Sequence, residues 1–254
     1  MLTAPPVEVQ EQRPGYIVPN LGLSRLPEPI RDIPQSITVV PQELMLQQGA
    51  TNLQDALRNV AGISFQAGEG GGAQGNNLSL RGFNARNDFF LDGIRDQGSY
   101  FRDVFNLEAI EVLKGPSALY FGRGTTGGVI NQVSKFPRLE SFNSGTLSLG
   151  NGFLFRATGD INQRINETTA FRVNFMGHLD EIVDRDEVEQ KRIGIAPAVT
   201  FGLGTSTQLT VSYFLQHEDN LPDYGLPFLA AHQRHPSTRH AAVANHCRSG
   251  SPWS

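Results

Sequence analysis

The chain of 254 residues contains a single cysteine, Cys247. No intrachain disulfide can form, and C-x-x-C metal or redox motifs are absent. No run approaches 18 apolar residues, which excludes a membrane helix. That leaves a membrane β-barrel open, because barrel strands carry a much weaker hydropathy signal. Charge of one sign is also lacking. With 25 Asp plus Glu against 21 Lys plus Arg, nothing pulls the chain toward nucleic acid. There is no G-x-S-x-G, no H-E-x-x-H and no P-loop lysine, so no catalytic constellation is present and the expectation is that the chain is not an enzyme. The opening MLTAPPVEVQ has neither a basic nor an apolar region of the kind that makes a signal peptide. Either the protein is cytoplasmic, or its first methionine is not the biological start.

Glycine (27) and phenylalanine (16) are abundant, and Gly, Asn and Thr fall between short alternating apolar runs, as in a β-rich protein. Within residues 111–135 (EVLKGPSALYFGRGTTGGVINQVSK), GRGTTG matches the G-x-G-x-x-G spacing of a dinucleotide loop. Such a loop needs a strand before it, a helix after it and an acidic residue about 20 positions on. Residues 109–113 read as the strand. After Gly128, however, Val129-Ile130-Asn131-Gln132-Val133 reads as another strand, and no carboxylate lies near position 147. A phosphate cradle is excluded.

Residues 1–30 carry six prolines and little periodicity, which reads as an extended, mobile segment. A strand is expected over 36–40, stopped by Pro41, then a short helix over 41–48 with Gly49 past its end. A second helix opens on Thr51-Asn52-Leu53-Gln54, buries Leu53, Ala56, Leu57 and Val60, and ends at Gly62. The loop GEGGGAQGNN precedes strands at 78–81 and 88–92, the latter turning at Gly93. Residues 31–137 therefore read as a small α+β domain.

The pattern changes after Pro137. Phe153, Phe155, Ala157, Gly159 and Ile161 alternate with more polar neighbours, as do residues 171–179, 192–201 and 209–216. With a shorter strand over 145–150, five strands result. Their connections are short and polar at 163–168 and 202–206, and longer and densely charged at 181–190 (EIVDRDEVEQ). One apolar and one polar face, with about ten residues per strand, fits a membrane barrel. A soluble β-sandwich also alternates, although its strands are usually shorter. Residues 138–228 are therefore read as barrel strands. Residues 229–254 hold four of the six histidines, the cysteine and the tryptophan. They read either as a metal tract of His232, His235, His240, His246 and Cys247 or as a disordered or out-of-frame tail.

The ordered series RDIPQSITVV (31–40), TNLQDALRNVAGISF (51–65), LSLRGF (78–83) and residues 89–135, followed by barrel-like strands, resembles TonB-dependent outer-membrane receptors for ferric siderophores, most closely the catecholate type. The resemblance spans about residues 31–228. It implies an α+β plug domain followed by antiparallel transmembrane β-barrel strands, here an incomplete barrel, since such receptors seat the plug in 22 strands. It also implies location in the outer membrane. The iron complex is cargo and no cofactor is implied. The implied partners are TonB, energised by ExbB/ExbD, the ferric siderophore and the membrane. The best match to the partner-binding TonB box is Val7, Glu8 and Val9 within residues 6–10, where an extended segment would add to a sheet edge of the partner; a disordered leader is the other reading. Ligand contacts carried over by motif are Arg81 of LRGF and Gln97, Gly98, Tyr100 and Phe101 of DQGSYF. A guanidinium and aromatic faces suit an anionic, ring-bearing ligand. Arg81 reads equally as a structural partner of a carboxylate, and Tyr100 and Phe101 as packing residues. Arg86, Arg95, Arg102 and Arg123 are expected in plug–barrel ion pairs. The glycines of GRGTTGG are expected to permit tight backbone packing. The chain itself is expected to be inactive as a transporter, the alternative being a stand-alone soluble plug-type binding module.

Overall fold

A computed structural model describes residues 16, 18–23, 25–65, 77–98, 100–122, 125–151, 153–181 and 189–220. Residues 7–9 and the histidine-rich tail lie outside these. The first part of the chain forms β1 (Ser36–Pro41), α1 (Gln42–Gln47), α2 (Leu53–Leu57), β2 (Ile63–Phe65), β3 (Leu78–Leu80), β4 (Phe83–Asn84), β5 (Phe89–Leu91), β6 (Ile94–Arg95), β7 (Leu107–Lys114), α3 (Ala118–Phe121) and β8 (Gly128–Ser134). One sheet runs β1-β7-β8-β5-β6 and a smaller one β2-β3-β4. β7 is an interior strand, apolar toward both sides. Ile110, Val112 and Ile130 face Leu53, Leu57 and Val40 on the helical side. Leu113 and Val129 face Phe90, Phe121, Leu23 and Leu26 on the other. Period-2 alternation along β7 and β8 thus feeds two cores from one sheet.

The second core corrects one expectation. From residue 18 onward the proline-rich segment is extended but packed, with Leu23 and Leu26 buried. Its Gly22 N–H donates to Glu111 Oε1 at 2.5 Å, and Asn131 Nδ2 donates to Glu111 Oε2 at 2.9 Å. Burial pushes the Glu111 carboxyl above the usual carboxylate range. The cap of α2 also differs from expectation. Asn52 caps the helix by accepting from the Asp55 N–H at 2.8 Å, and Asn52 Nδ2 donates back to the Asp55 carboxylate at the same distance. Gln54 plays no part in the cap, because the reciprocal position is the third residue after the capping one.

Two hairpin turns use paired left-handed residues, Arg81-Gly82 (φ 53° and 82°) and Asp92-Gly93 (φ 50° and 79°). Both close two-residue loops, with Leu80 opposite Phe83 and Leu91 opposite Ile94, as the right-handed twist of hairpins favours. The glycines after α3 have the packing role expected of them. A Cβ on Gly127 would press into the Leu80 carbonyl oxygen, and one on Gly128 (φ 141°) into that of Leu113.

The second part of the chain is a single antiparallel wall of β9 (Phe142–Gly150), β10 (Leu154–Arg164), β11 (Thr169–Glu181), β12 (Glu189–Phe201), β13 (Leu209–Ser212) and β14 (Leu215–Asn220), in the order of the sequence. β13 and β14 are one strand in one register against β12, with Ala198 opposite Ser212 and Ile195 opposite Leu215. The interruption falls where Tyr213 meets Pro197. Tyr213 N–H donates to the Pro197 carbonyl at 2.9 Å, but proline has no N–H to return the second bond of the pair.

The faces decide between barrel and sandwich. Phe175, Ile193 and Ile195 are 44%, 63% and 42% exposed, whereas Arg172, Asn174 and Arg192 between them are at most 4% exposed. A sandwich would turn the apolar side in. Here it is turned out, as a lipid-facing wall requires.

Replacing Gly128 by Ala is expected to destabilise the first domain by roughly 2–4 kcal/mol, since both its backbone conformation and its contact with Leu113 are lost. Gly49→Ala (φ 63°, nothing within 4 Å) is expected to cost only about 1 kcal/mol. Thermal unfolding followed by near-UV circular dichroism compares them. Equal losses would show that close approach is not what selects glycine at 128.

Candidate functional site

Alternation places one residue in two of each wall strand on the inner face, about 6.7 Å apart along the strand. Residues 101–108 of the first domain climb this face. At one end, Arg172 donates to Glu108 at 3.4 Å and to the Phe136 carbonyl at 2.9 Å, and Arg138 also pairs with Glu108. Next, Asp160 is held bidentately by Arg172 at 2.7 and 2.8 Å and meets Lys135 Nζ at 3.3 Å. Lys135 also donates to the Phe105 carbonyl at 2.8 Å. Burial, as the largest cause, lowers the Lys135 pKa from its ordinary value, even beside Asp160. Above it the Phe105 ring sits over Gly194, where a Cβ would lie 2.7 Å from the ring, and stacks on Phe214 at 5.8 Å. Then Asp103 receives Arg156 at 2.7 and 2.9 Å and Arg192 at 3.5 Å. At the far end the Arg192 guanidinium lies 3.9 Å from the Phe101 ring centroid, and Gln216 Nε2 donates to the Phe101 carbonyl at 2.6 Å.

The sequence of contacts fixes direction. Arg172 lies near the short 165–168 connection, and Arg192 near the charged 181–190 connection. The seam therefore runs from Glu108 at the first end to Phe101 at the second. Asp103 is wholly buried, as are Arg156 and Arg192 to within 9% of their side-chain surface. Burying charge is costly, so such pairs add little net stability over a good apolar contact. Their effect is on register. Shifting the domain by one inner-face position would separate the buried carboxylates and guanidiniums along the whole seam and strand them without partners.

The loop at the second end carries four of the five carried-over positions. Asp96 organises it. Its carboxylate accepts from Gly98 N–H (3.1 Å), Tyr100 Oη (2.8 Å), and Arg102 Nε (3.2 Å) and Nη2 (2.9 Å). Burial and the bond to Asp96 push the Tyr100 phenol well above its usual range, so it stays a donor. Gln97 and Gly98 are exposed, Tyr100 is half-buried, and Phe101 is buried in the seam. Arg81 stands apart at the β3–β4 hairpin tip, exposed, with its N–H bonded to the Gly62 carbonyl and its guanidinium beside Gly115. The structure thus places Gln97, Gly98, Tyr100 and Phe101 on one loop and Arg81 on a different hairpin.

The expected ion-pair polarity is reversed. Arg95 pairs with Asp88 and Arg102 with Asp96, both inside the first domain. Across the seam the guanidiniums come from the wall side and the carboxylates from the plug segment, with the Lys135–Asp160 pair as the exception. Arg123 lies outside the described residues, and Arg86 makes only a backbone bond to Asn84. Sequence reasoning missed Asp103 and its partners. The signal available was Arg156, Asp160, Arg172, His178 and Arg192 recurring on one face of otherwise apolar strands. Their partners on the plug were not legible, because Asp103 and Glu108 sit in no periodic pattern.

Comparison with known proteins adds the following. Residues 29–129 match the family model of the TonB-dependent receptor plug domain. The chain is 39% identical over 241 residues to the catecholate siderophore receptor Fiu of Escherichia coli K12, covering 94% of this chain and 32% of that protein. It is 38% identical to a probable TonB-dependent siderophore receptor, PiuA, of Acinetobacter baumannii, covering 81% of this chain and 28% of that one. The closed-form crystal structure of the E. coli ferric-catecholate import receptor superimposes with a TM-score of 0.79 at 42% identity, over 84% of this chain and 30% of that one. The A. baumannii PiuA structure gives 0.79 at 37% identity, over 84% and 31%. The chain spans about a third of the length of these relatives.

Asp103→Ala leaves Arg156 and Arg192 buried without their acceptor and is expected to weaken docking of the first domain on the wall by about 3–5 kcal/mol. Arg58→Ala, which removes an exposed pair with Asp55, is expected to change stability by less than about 0.5 kcal/mol. Limited proteolysis of the detergent-folded chain reads the difference as faster cleavage between residues 30 and 140. Equal protection of the two variants would show that the Asp103 hub does not hold the seam.

Proposed function

The chain belongs to the TonB-dependent receptor family, as a plug domain joined to strands of the barrel wall, and we propose that it is the plug-bearing portion of an outer-membrane receptor for ferric siderophores. The observation that carries this reading is the wall with its apolar side outward and its charged side paired to the plug. A soluble plug-type module has no use for such a wall. The plug closes the lumen and its outer loop receives the ligand. The catecholate class rests on one relative, Fiu of E. coli, 39% identical in sequence and 42% identical over the superimposed structure, which is a receptor for ferric catecholates by name.

In this proposal Gln97, Gly98 and Tyr100 form the ligand-facing loop, Phe101 anchors it to the wall, and Arg81 supplies an exposed cation. A ferric tris-catecholate is anionic and presents ring edges and faces, which a guanidinium and a tyrosine ring match. Val7, Glu8 and Val9 pair with TonB as an added strand, and ExbB/ExbD supply the energy to move the plug.

Arg81 allows a clean test, because its left-handed backbone is one that asparagine also adopts readily. In a receptor whose plug carries residues 29–135 of this chain, Arg81→Asn is expected to weaken ferric-catecholate binding by roughly 10- to 150-fold, the worth of a charged hydrogen bond. The melting temperature is expected to hold or rise. Unchanged affinity with a lowered melting temperature would assign Arg81 a structural role instead.

A further inference from the structure

Arg102 pairs with Asp96 inside the first domain, and its side chain is only 2% exposed. Its guanidinium lies between two rings, 4.4 Å from the centroid of Tyr100 and 4.6 Å from that of Phe89. The same group donates twice to Asp96 and once to the Gly98 carbonyl at 2.8 Å. Phe89 is fully buried on β5 and belongs to the helical-side core. Arg102 therefore ties a surface ring, Tyr100, through its own planar cation to a ring the core cannot move. It also neutralises Asp96, whose charge would otherwise repel an anion at this loop.

We infer that Arg102 is the positioning residue of the ligand-facing loop, holding the Tyr100 ring face outward while Asp96 occupies the Tyr100 hydroxyl, so that ligand is read by the ring and not by the phenol. This rests on the receptor reading above. Lysine does not replace arginine here. It keeps the charge but lacks the planar fork that bonds Asp96 and Gly98 together while stacking on both rings. Because Arg102 acts through Tyr100, removing both is expected to cost no more than removing Tyr100 alone. A residue that merely supports the fold would add its own loss.

The test uses the 254-residue chain folded in detergent, with the ferric complex of 2,3-dihydroxybenzoate carrying radiolabelled iron as the probe in equilibrium dialysis. Tyr100→Phe is expected to bind within about twofold of the unsubstituted chain, because the ring is kept. Tyr100→Ala and Arg102→Lys are each expected to weaken binding about tenfold, with near-UV circular dichroism unchanged. The double variant is expected to match Tyr100→Ala within about twofold, the non-additivity of residues acting as one unit. Asp96→Asn, nearly isosteric, repeats the test should Arg102→Lys not fold, and is expected to weaken binding in the same non-additive way. Additive losses in the double variant, full binding by Arg102→Lys, or a Tyr100→Phe as weak as Tyr100→Ala would each overturn the inference while leaving the receptor reading intact. No binding by the unsubstituted chain overturns the receptor reading and the inference with it.

Discussion

A strand wall that turns its apolar side outward must turn its charges inward, and everything else about this molecule follows from where those charges find partners. Arg156, Arg172 and Arg192 cannot remain unpaired behind the wall, since an isolated buried guanidinium is prohibitive. Asp160 answers one from within the wall. Arg156 and Arg192 are both answered by Asp103, and Arg172 is met a second time by Glu108, both carboxylates lying on a segment from a different domain. The seam is therefore obligatory for the wall as well as for the plug. It is also largely polar, in contrast to the apolar cores of the plug. An apolar seam of the same length would gain more from burial, but it would tolerate sliding, whereas a spaced series of ion pairs and one ring over Gly194 accepts a single height.

The plug is built on the opposite rule. Its interior strands β7 and β8 bury apolar residues on both sides and feed two separate cores. Away from the seam, buried polar groups are satisfied within the domain. Glu111 joins the Gly22 backbone to Asn131, and Asn131 in turn accepts the Gly93 N–H at 2.9 Å. One hydrogen-bonded line thus runs from the N-terminal strap, through the middle of the sheet, to the turn that precedes the outer loop. The domain is rigid by its cores and joined across them by this line. The outer loop takes its shape from a single carboxylate, Asp96, and a cation held between rings, not from regular structure.

Much of this was legible in the residues. The strands of the wall and the identity of their outward faces follow from period-2 alternation, which depends only on the geometry of an extended chain. The strands flanking GRGTTG, the failure of a helix after it and the packing role of its glycines follow from β-branched content and from the absence of a side chain. The turn at Gly93 was also written locally, whereas Arg81 reads as the end of a strand and only the structure shows the chain turning at Arg81-Gly82.

Tertiary structure alone decided which inner-face charge meets which plug residue, because pairs such as Arg156 with Asp103 and Arg172 with Glu108 join positions 53 and 64 apart in sequence with no shared pattern. It decided that the arginines of the outer loop serve the plug itself, that Phe101 belongs to the seam, and that the strap from residue 18 is packed. Local sequence sets the conformations a segment can adopt and the face on which each side chain emerges. Which buried charge is neutralised by which partner is a property of two surfaces brought together, and no single segment contains it.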